Sequence, residues 1–115
     1  MLAYGFGSKE NGLFEIDNNL EDLQGFVDGY IEVLYIGSNL CLVCNEVGKL
    51  QDMEPTAALV NDNGEVQDVI AGNCFVLRDD GEGDFESLRN GDVEEIQKYV
   101  KVVIAADRCL IILAE

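Results

Sequence analysis

Residues 17–50 read as a cap, a short helix, a strand, a tight turn, a return strand and a polar corner, with nothing between them. That order constrains the fold more than any other feature of the chain. Asn18 and Glu21 stand at capping-box spacing, and Asp17 adds negative charge where the exposed helix N–H groups favour it. Leu20, Leu23 and Val27 follow at helical spacing, with Phe26 beside them. Asp28-Gly29 ends the helix, because glycine tolerates left-handed backbone. Residues 30–36 are rich in β-branched and aromatic residues and only Glu32 breaks their apolarity, which predicts a strand covered over most of both faces. Gly37-Ser38-Asn39 predicts a turn, and residues 40–44 a second strand. At Asn45-Glu46 the polarity flips, and Gly48 permits a sharp bend.

The remaining chain alternates short strand signals with turns. Residues 1–6 and 13–16 are strand-like on either side of Asn11-Gly12, a strong turn signal. Residues 51–56 form a loop broken by Pro55, and residues 56–60 suit either a strand or a helical turn. Residues 61–64 form a turn. Residues 66–70 then lead to Ala71-Gly72, whose small size suits a close backbone approach or a bulge. Residues 73–77 read as a strand. Asn90 or Asp92 is placed to cap a second helix over residues 93–100, with Ile96 and Tyr99 or Val100 buried. Residues 102–105 and 109–113 look like two strands around Ala106-Asp107-Arg108. They either pair as a terminal hairpin or send one strand to a neighbour's sheet edge, making a homodimer. Six to eight short strands and two short helices, without regular βαβ alternation, predict an α+β fold with a mostly antiparallel sheet. At 115 residues the chain is expected to be one domain, 1–115, large enough to bury its own core.

Charge separates the function classes. The chain has 23 acidic residues, 7 basic ones and no His, for a net charge of −16. The acids are spread along the chain, so the folded surface is strongly negative. Direct binding to nucleic acid or to an anionic membrane is disfavoured, because neutralising phosphates needs Lys and Arg. A basic protein partner is favoured and is steered electrostatically. Plain solubility, or adaptation to a salty cytoplasm, accounts for the charge equally well. No apolar run approaches the roughly 20 residues of a membrane helix, and no basic region precedes an apolar stretch near Met1. A cytoplasmic location is therefore the expectation.

Catalytic chemistry finds little to stand on. Without His there is no imidazole base and no His-activated nucleophile. Paired carboxylates are too abundant to be a signal, and no Gly-rich phosphate loop follows a strand. Cys41 and Cys44 form a CxxC, and Cys74 and Cys109 bring the thiols to four. A strand points Cys41 and Cys44 to opposite faces, so core packing is the better reading than Zn²⁺ or redox chemistry. Residues 78–84 (Arg-Asp-Asp-Gly-Glu-Gly-Asp) are the most acidic loop, but the acids miss the calcium-loop positions and no Glu closes it. No catalytic residue, metal or cofactor is expected.

Three runs carry a resemblance. These are Ile16-Asp17-Asn18-x-Leu20-Glu21-x-Leu23-Gln24, then Val27-x-Gly29-Tyr30-Ile31-Glu32, then Cys44-Asn45-Glu46-x-Gly48-Lys49-Leu50. With Ile70-Ala71-Gly72, Cys74-Phe75-Val76 and residues 84–88, they resemble the domain of unknown function 3846 family over about residues 10–100. The resemblance implies a setting in phages, plasmids and conjugative elements of bacteria. It implies no catalytic residue. The apolar tail from residue 101 departs from the pattern.

Two functional expectations follow. The first is a non-enzymatic decoy that imitates nucleic acid and occupies the groove of a basic host protein, such as a nucleic-acid-processing enzyme. Its contacts would be Asp79, Asp80, Glu82, Asp84 and Glu86, with Glu94 and Glu95 on the following helix. The second is a small-ligand or accessory module using Asn45, Glu46 and Lys49, with Tyr30 and Glu32 nearby. Against the second stands a plainer account, in which Asn45 and Glu46 only tie up loose backbone groups where the sheet ends.

Overall fold

The computed structural model describes residues 1–37, 39–106 and 109–113. In chain order they form β1 (Leu2–Phe6), β2 (Gly12–Glu15), α1 (Leu20–Val27), β3 (Ile31–Gly37), β4 (Leu40–Asn45) and β5 (Pro55–Val60). There follow β6 (Val66–Ala71), β7 (Cys74–Asp79), β8 (Phe85–Glu86), α2 (Asp92–Tyr99), β9 (Val100–Ala106) and β10 (Cys109–Leu113). The strands pair antiparallel throughout. The α+β class with antiparallel pairing is observed. The strands exceed the expected six to eight, and they divide between two sheets. One sheet runs β2-β1-β7-β4-β3 with β8 against β7, and the other runs β10-β9-β5-β6. Residues 56–60 resolve as strand: β5 lies inside the second sheet, and Pro55 sits at its first position, where the missing N–H costs least.

Every residue of β4 is buried, because the first sheet is a middle layer. Leu40, Leu42 and Cys44 face the second sheet and α2, packing with Ala57, Ile70, Ile96 and Val100. Val43 faces the other way, with Phe75 and Leu77, against Leu23, Phe26 and Val27 of α1. Phe26 stacks on Phe14 at 4.8 Å and meets the Phe75 ring edge-on at 5.1 Å.

Several local expectations need correction. The cap of α1 is Asn19, whose side chain accepts the Asp22 N–H at 2.8 Å. Asn18 instead donates to Asp84 Oδ1 at 3.0 Å and to the Phe85 carbonyl at 3.3 Å. Asn18–Glu21 and Asn19–Asp22 share one spacing, so the pattern alone does not choose the frame. Leu20 is exposed. The left-handed residue ending the helix is Asp28 (φ 61°), not Gly29. The last turn of α1 has no basic residue of its own; Lys9 supplies one, donating to the carbonyls of Gly25 and Phe26 at 2.7 and 3.1 Å.

β3 is an edge strand: Leu34 and Ile36 pack on one core cluster and Ile31 and Val33 on the other, so both faces are partly covered, while Tyr35 stays 71% exposed. At α2 the cap is Gly91 rather than Asn90 or Asp92. Asp92 is the first helical residue, and its carboxylate accepts the Arg89 N–H at 2.7 Å and Arg78 Nη1 at 2.8 Å. The terminal strands pair with each other as a hairpin, while β9 also pairs with β5. Of the expected turn residues, Ser38, Asp107 and Arg108 lie outside the described residues.

Candidate functional site: a cleft at the polar corner

β4 leaves the middle layer at Asn45, and the chain turns there because the Asn45 side chain holds both ends of the corner. Asn45 is only 5% exposed. Its Nδ2 donates to the Val27 carbonyl at the end of α1 at 3.0 Å, and its Oδ1 accepts the Val47 N–H at 2.8 Å. The Glu46 N–H bonds the Tyr30 carbonyl at 2.9 Å. Two glycines let the backbones close in. A Cβ on Gly29 would stand 2.6 Å from Asn45 Nδ2, and one on Gly48 would stand 2.5 Å from the Ala71 carbonyl oxygen. That approach of Gly48 to Ala71 is the close backbone contact expected at Ala71-Gly72, whereas Gly72 itself meets the Met53 side chain. Asn45 thus ties up backbone groups where the sheet ends, and it also lines the cleft beside the corner.

The corner closes one side of a cleft of about 280 Å³, where the two sheets part. Glu32 comes from β3, Cys44 from β4, Glu46 and Lys49 from the corner, and Asp68 from β6. Glu32 and Cys44 are cross-strand partners, so both side chains point to this side, with Cys44 Sγ 3.9 Å from Glu32 Oε1. Lys49 Nζ reaches Asp68 Oδ1 at 2.5 Å and clips the corner to β6. Both groups are solvent-exposed, so the pair adds little stability. Burial, reinforced by Glu32 and Asp68, pushes the Cys44 thiol up to about 12, with Lys49 opposing. Cys44 is therefore a protonated thiol at neutral pH and a poor nucleophile. Chemically the cleft offers carboxylates from three elements against a single exposed ammonium. Of the corner residues expected to meet a ligand, Glu32, Asn45, Glu46 and Lys49 line this cleft. Tyr30 does not; it stands 74% exposed over an adjoining hollow with Gln24, Gly29, Val47 and Gln51. Asp68 was not anticipated. Nothing in the Val66–Ala71 segment announces its meeting with Lys49, which depends on the crossing of two sheets.

The acidic loop is more internally committed than its composition implies. Asp79 accepts the Gly81 N–H at 2.8 Å, and Asp80 accepts those of Glu82 and Asp84 at 2.7 and 3.1 Å. Asp84 accepts from Asn18 Nδ2 and from the Phe85 N–H, which hold its carboxyl below the usual range. Glu86 pairs with Arg89 at 2.8 Å and lies 3.7 Å from Arg78, and Glu95 pairs with Lys98 at 2.8 Å. Glu82 and Glu94 are exposed. The structure therefore gathers Asp79, Asp80, Glu82 and Asp84 in one loop, while Glu86 and Glu95 each carry a cation.

Cys41 and Cys44 do point to opposite faces. Cys41 Sγ contacts the Leu77 carbonyl at 3.6 Å, on the α1 side of the sheet. Cys74 Sγ lies 3.8 Å from Thr56 Oγ1, and burial raises its thiol to about 12. The Cys109 side chain lies outside the described residues. Among the described residues no group of three or more His, Cys, Asp or Glu is placed to hold a metal ion, and no helix is long and apolar enough to cross a membrane.

The model of a family described as Domain of unknown function (DUF3846) matches residues 8–101. No curated protein and no solved structure matches the chain. The matched span contains the whole cleft and ends inside β9, leaving β10 beyond it.

Proposed function

As the chain belongs to the domain of unknown function 3846 family, we propose from the site itself that it is a non-enzymatic binding protein whose cleft receives a cationic group. That group is an amine or guanidinium carried on a basic protein segment. The observation that carries this reading is the convergence of Glu32, Glu46 and Asp68 around one cleft with Lys49 as its single ammonium. Lys49 is exposed, so an incoming guanidinium can displace it from Asp68 and take a bidentate geometry that an ammonium does not offer. The protonated Cys44 thiol supports binding over covalent chemistry. A net charge of −16 steers a basic partner toward any face, and the cleft then supplies the specific contact.

A second reading is favoured by the loop at residues 79–84. Asp80 and Asp84 are fixed by backbone hydrogen bonds, so their charges are already ordered. Double-stranded DNA presents about one charge per 1.7 Å of axis, and an ordered carboxylate array imitates part of it. On this reading the chain is a mobile-element decoy for a basic nucleic-acid-processing protein in the host cytoplasm.

Calorimetric titration with an arginine-rich peptide, at low and moderate salt, separates the two. The variants remove equal charge: Glu32→Gln with Asp68→Asn in the cleft, against Asp80→Asn with Glu82→Gln in the loop. Loss of two charge-assisted contacts weakens binding about tenfold or more for the cleft pair, with little change for the loop pair. The reverse ranking supports the decoy. Equal, small losses mean diffuse attraction and overturn both.

A further inference from the structure

We infer that β10 is a self-association edge, through which two copies of this chain join their second sheets by antiparallel pairing of β10 with its own counterpart. β10 takes the outer position of its sheet among the described residues. The outward N–H and C=O groups of an edge strand are a template for another strand, and proteins usually blunt such edges. The other outer strands here are blunted. β2 carries Glu15, β6 carries Gln67 and Asp68, and β3 carries Glu32 and a register shift between Tyr35 and Gly37. β10 reads Cys-Leu-Ile-Ile-Leu, with no charge and no strongly polar group.

The pattern of exposure selects a strand as the occupant. Leu110, Ile111 and Ile112 are 50%, 46% and 39% exposed. Successive strand residues point to opposite faces, so both faces of β10 are open and apolar. A helix laid on the sheet covers one face, whereas a strand added at the edge brings side chains to both. Ile104, the cross-strand partner of Ile111, is also half-exposed and carries the apolar surface onto β9.

Charge selects a second copy. Two chains of net charge −16 set carboxylate against carboxylate over most approaches. Residues 102–106 and 109–113 contain no charged residue at all, so copies meet there with the least repulsion. A two-fold axis normal to the sheet brings β10 beside itself antiparallel, with the same residues contributed from both sides. This edge lies outside the family-matched span, so it stands apart from the cleft reading.

Like-charge repulsion is screened by salt, with a Debye length of about 10 Å at 0.1 M and about 3 Å at 1 M. The dimer therefore tightens as salt rises, opposite in sign to a complex with a basic partner. Sedimentation equilibrium of the full chain, over a concentration series at low and high salt, tests this. The mass should approach twice 12.6 kDa, with a dissociation constant several-fold lower at high salt. Ile111→Lys reduces the net negative charge, so loss of the dimer in that variant cannot come from added global repulsion. It should sediment as a monomer while keeping the native circular dichroism. Leu110→Lys, on the opposite face, repeats the test should Ile111→Lys not fold. A native chain that stays monomeric at high salt overturns the proposal. So does a folded lysine variant that still dimerises, or a dimer that loosens as salt rises.

Discussion

Asn45→Ala reads the corner directly. The substitution removes the donor to the Val27 carbonyl and the acceptor for the Val47 N–H. Val47 is 37% exposed, so its N–H can turn to water at little cost. Val27 is fully buried, so its carbonyl loses a partner where water does not reach. Two net hydrogen bonds at about 1 kcal/mol each, with about 1–3 kcal/mol for a stranded buried acceptor, give a loss of about 3–5 kcal/mol. That is a large part of the roughly 5–15 kcal/mol that holds a domain together. Urea unfolding should show a lower midpoint at unchanged slope. Gly29→Ala tests the same contact from the other side. Its Cβ would stand 2.6 Å from Asn45 Nδ2, while the Gly29 backbone is outside the left-handed region. Alone it forces Asn45 off Val27 and costs about 1–3 kcal/mol. In the Asn45→Ala background the obstacle is gone, and the same change should be neutral or slightly stabilising through the unfolded chain. The double-mutant cycle should thus show coupling of about 1–3 kcal/mol. Additive effects, or an Asn45→Ala loss below about 0.5 kcal/mol, refute the reasoning.

Asp92→Ala takes from the Arg78 guanidinium, whose side chain is only 13% exposed, its 2.8 Å partner and leaves Glu86 at 3.7 Å, and should cost about 2–4 kcal/mol in denaturant unfolding. Glu95→Ala breaks the exposed Lys98 pair and should cost under about 1 kcal/mol. The thiols of Cys41, Cys44 and Cys74 stand at about 11, 12 and 12, so a thiol reagent at pH 8 should modify them only after denaturation. Because these values lie above the ordinary 9.0, their contribution is complete below pH 9 and is lost as pH rises toward 11–12, so alkaline melts should show falling stability there. Asp84 shifts the other way. Its contribution is present above its ordinary 3.8 and lost as pH falls through its lower folded value, so acid should release the loop from Asn18 before the native strands melt. Amide exchange at Phe85 against pH checks this.

What could be read from the chain is what local chemistry decides. β4 was legible because residues 40–44 are apolar without alternation, and its burial on both faces follows from the middle position. The α1 region was legible as a helix, but its frame was not, since Asn18 and Asn19 offer the same cap. β3 carries a buried-strand composition and yet lies at an edge, because strand order is a tertiary outcome that composition does not encode. The corner was found from its polarity flip, and Glu32, Glu46 and Lys49 with it. The separation of Asn45, which serves the fold, from Asp68, which completes the cleft, needed the packing of two sheets. The acidic loop looked like free charge because sequence counts carboxylates and not the N–H groups they accept.

The most direct measurement is an NMR titration of the ¹⁵N-labelled full chain with N-acetyl-arginine amide, a probe too small to average over the whole acidic surface. The cleft account predicts saturable shifts at Glu32, at residues 46–50 and at residues 68–71, lost in the Glu32→Gln/Asp68→Asn variant. Saturable shifts at residues 79–86 instead, or unsaturable drift spread over the surface, contradict it.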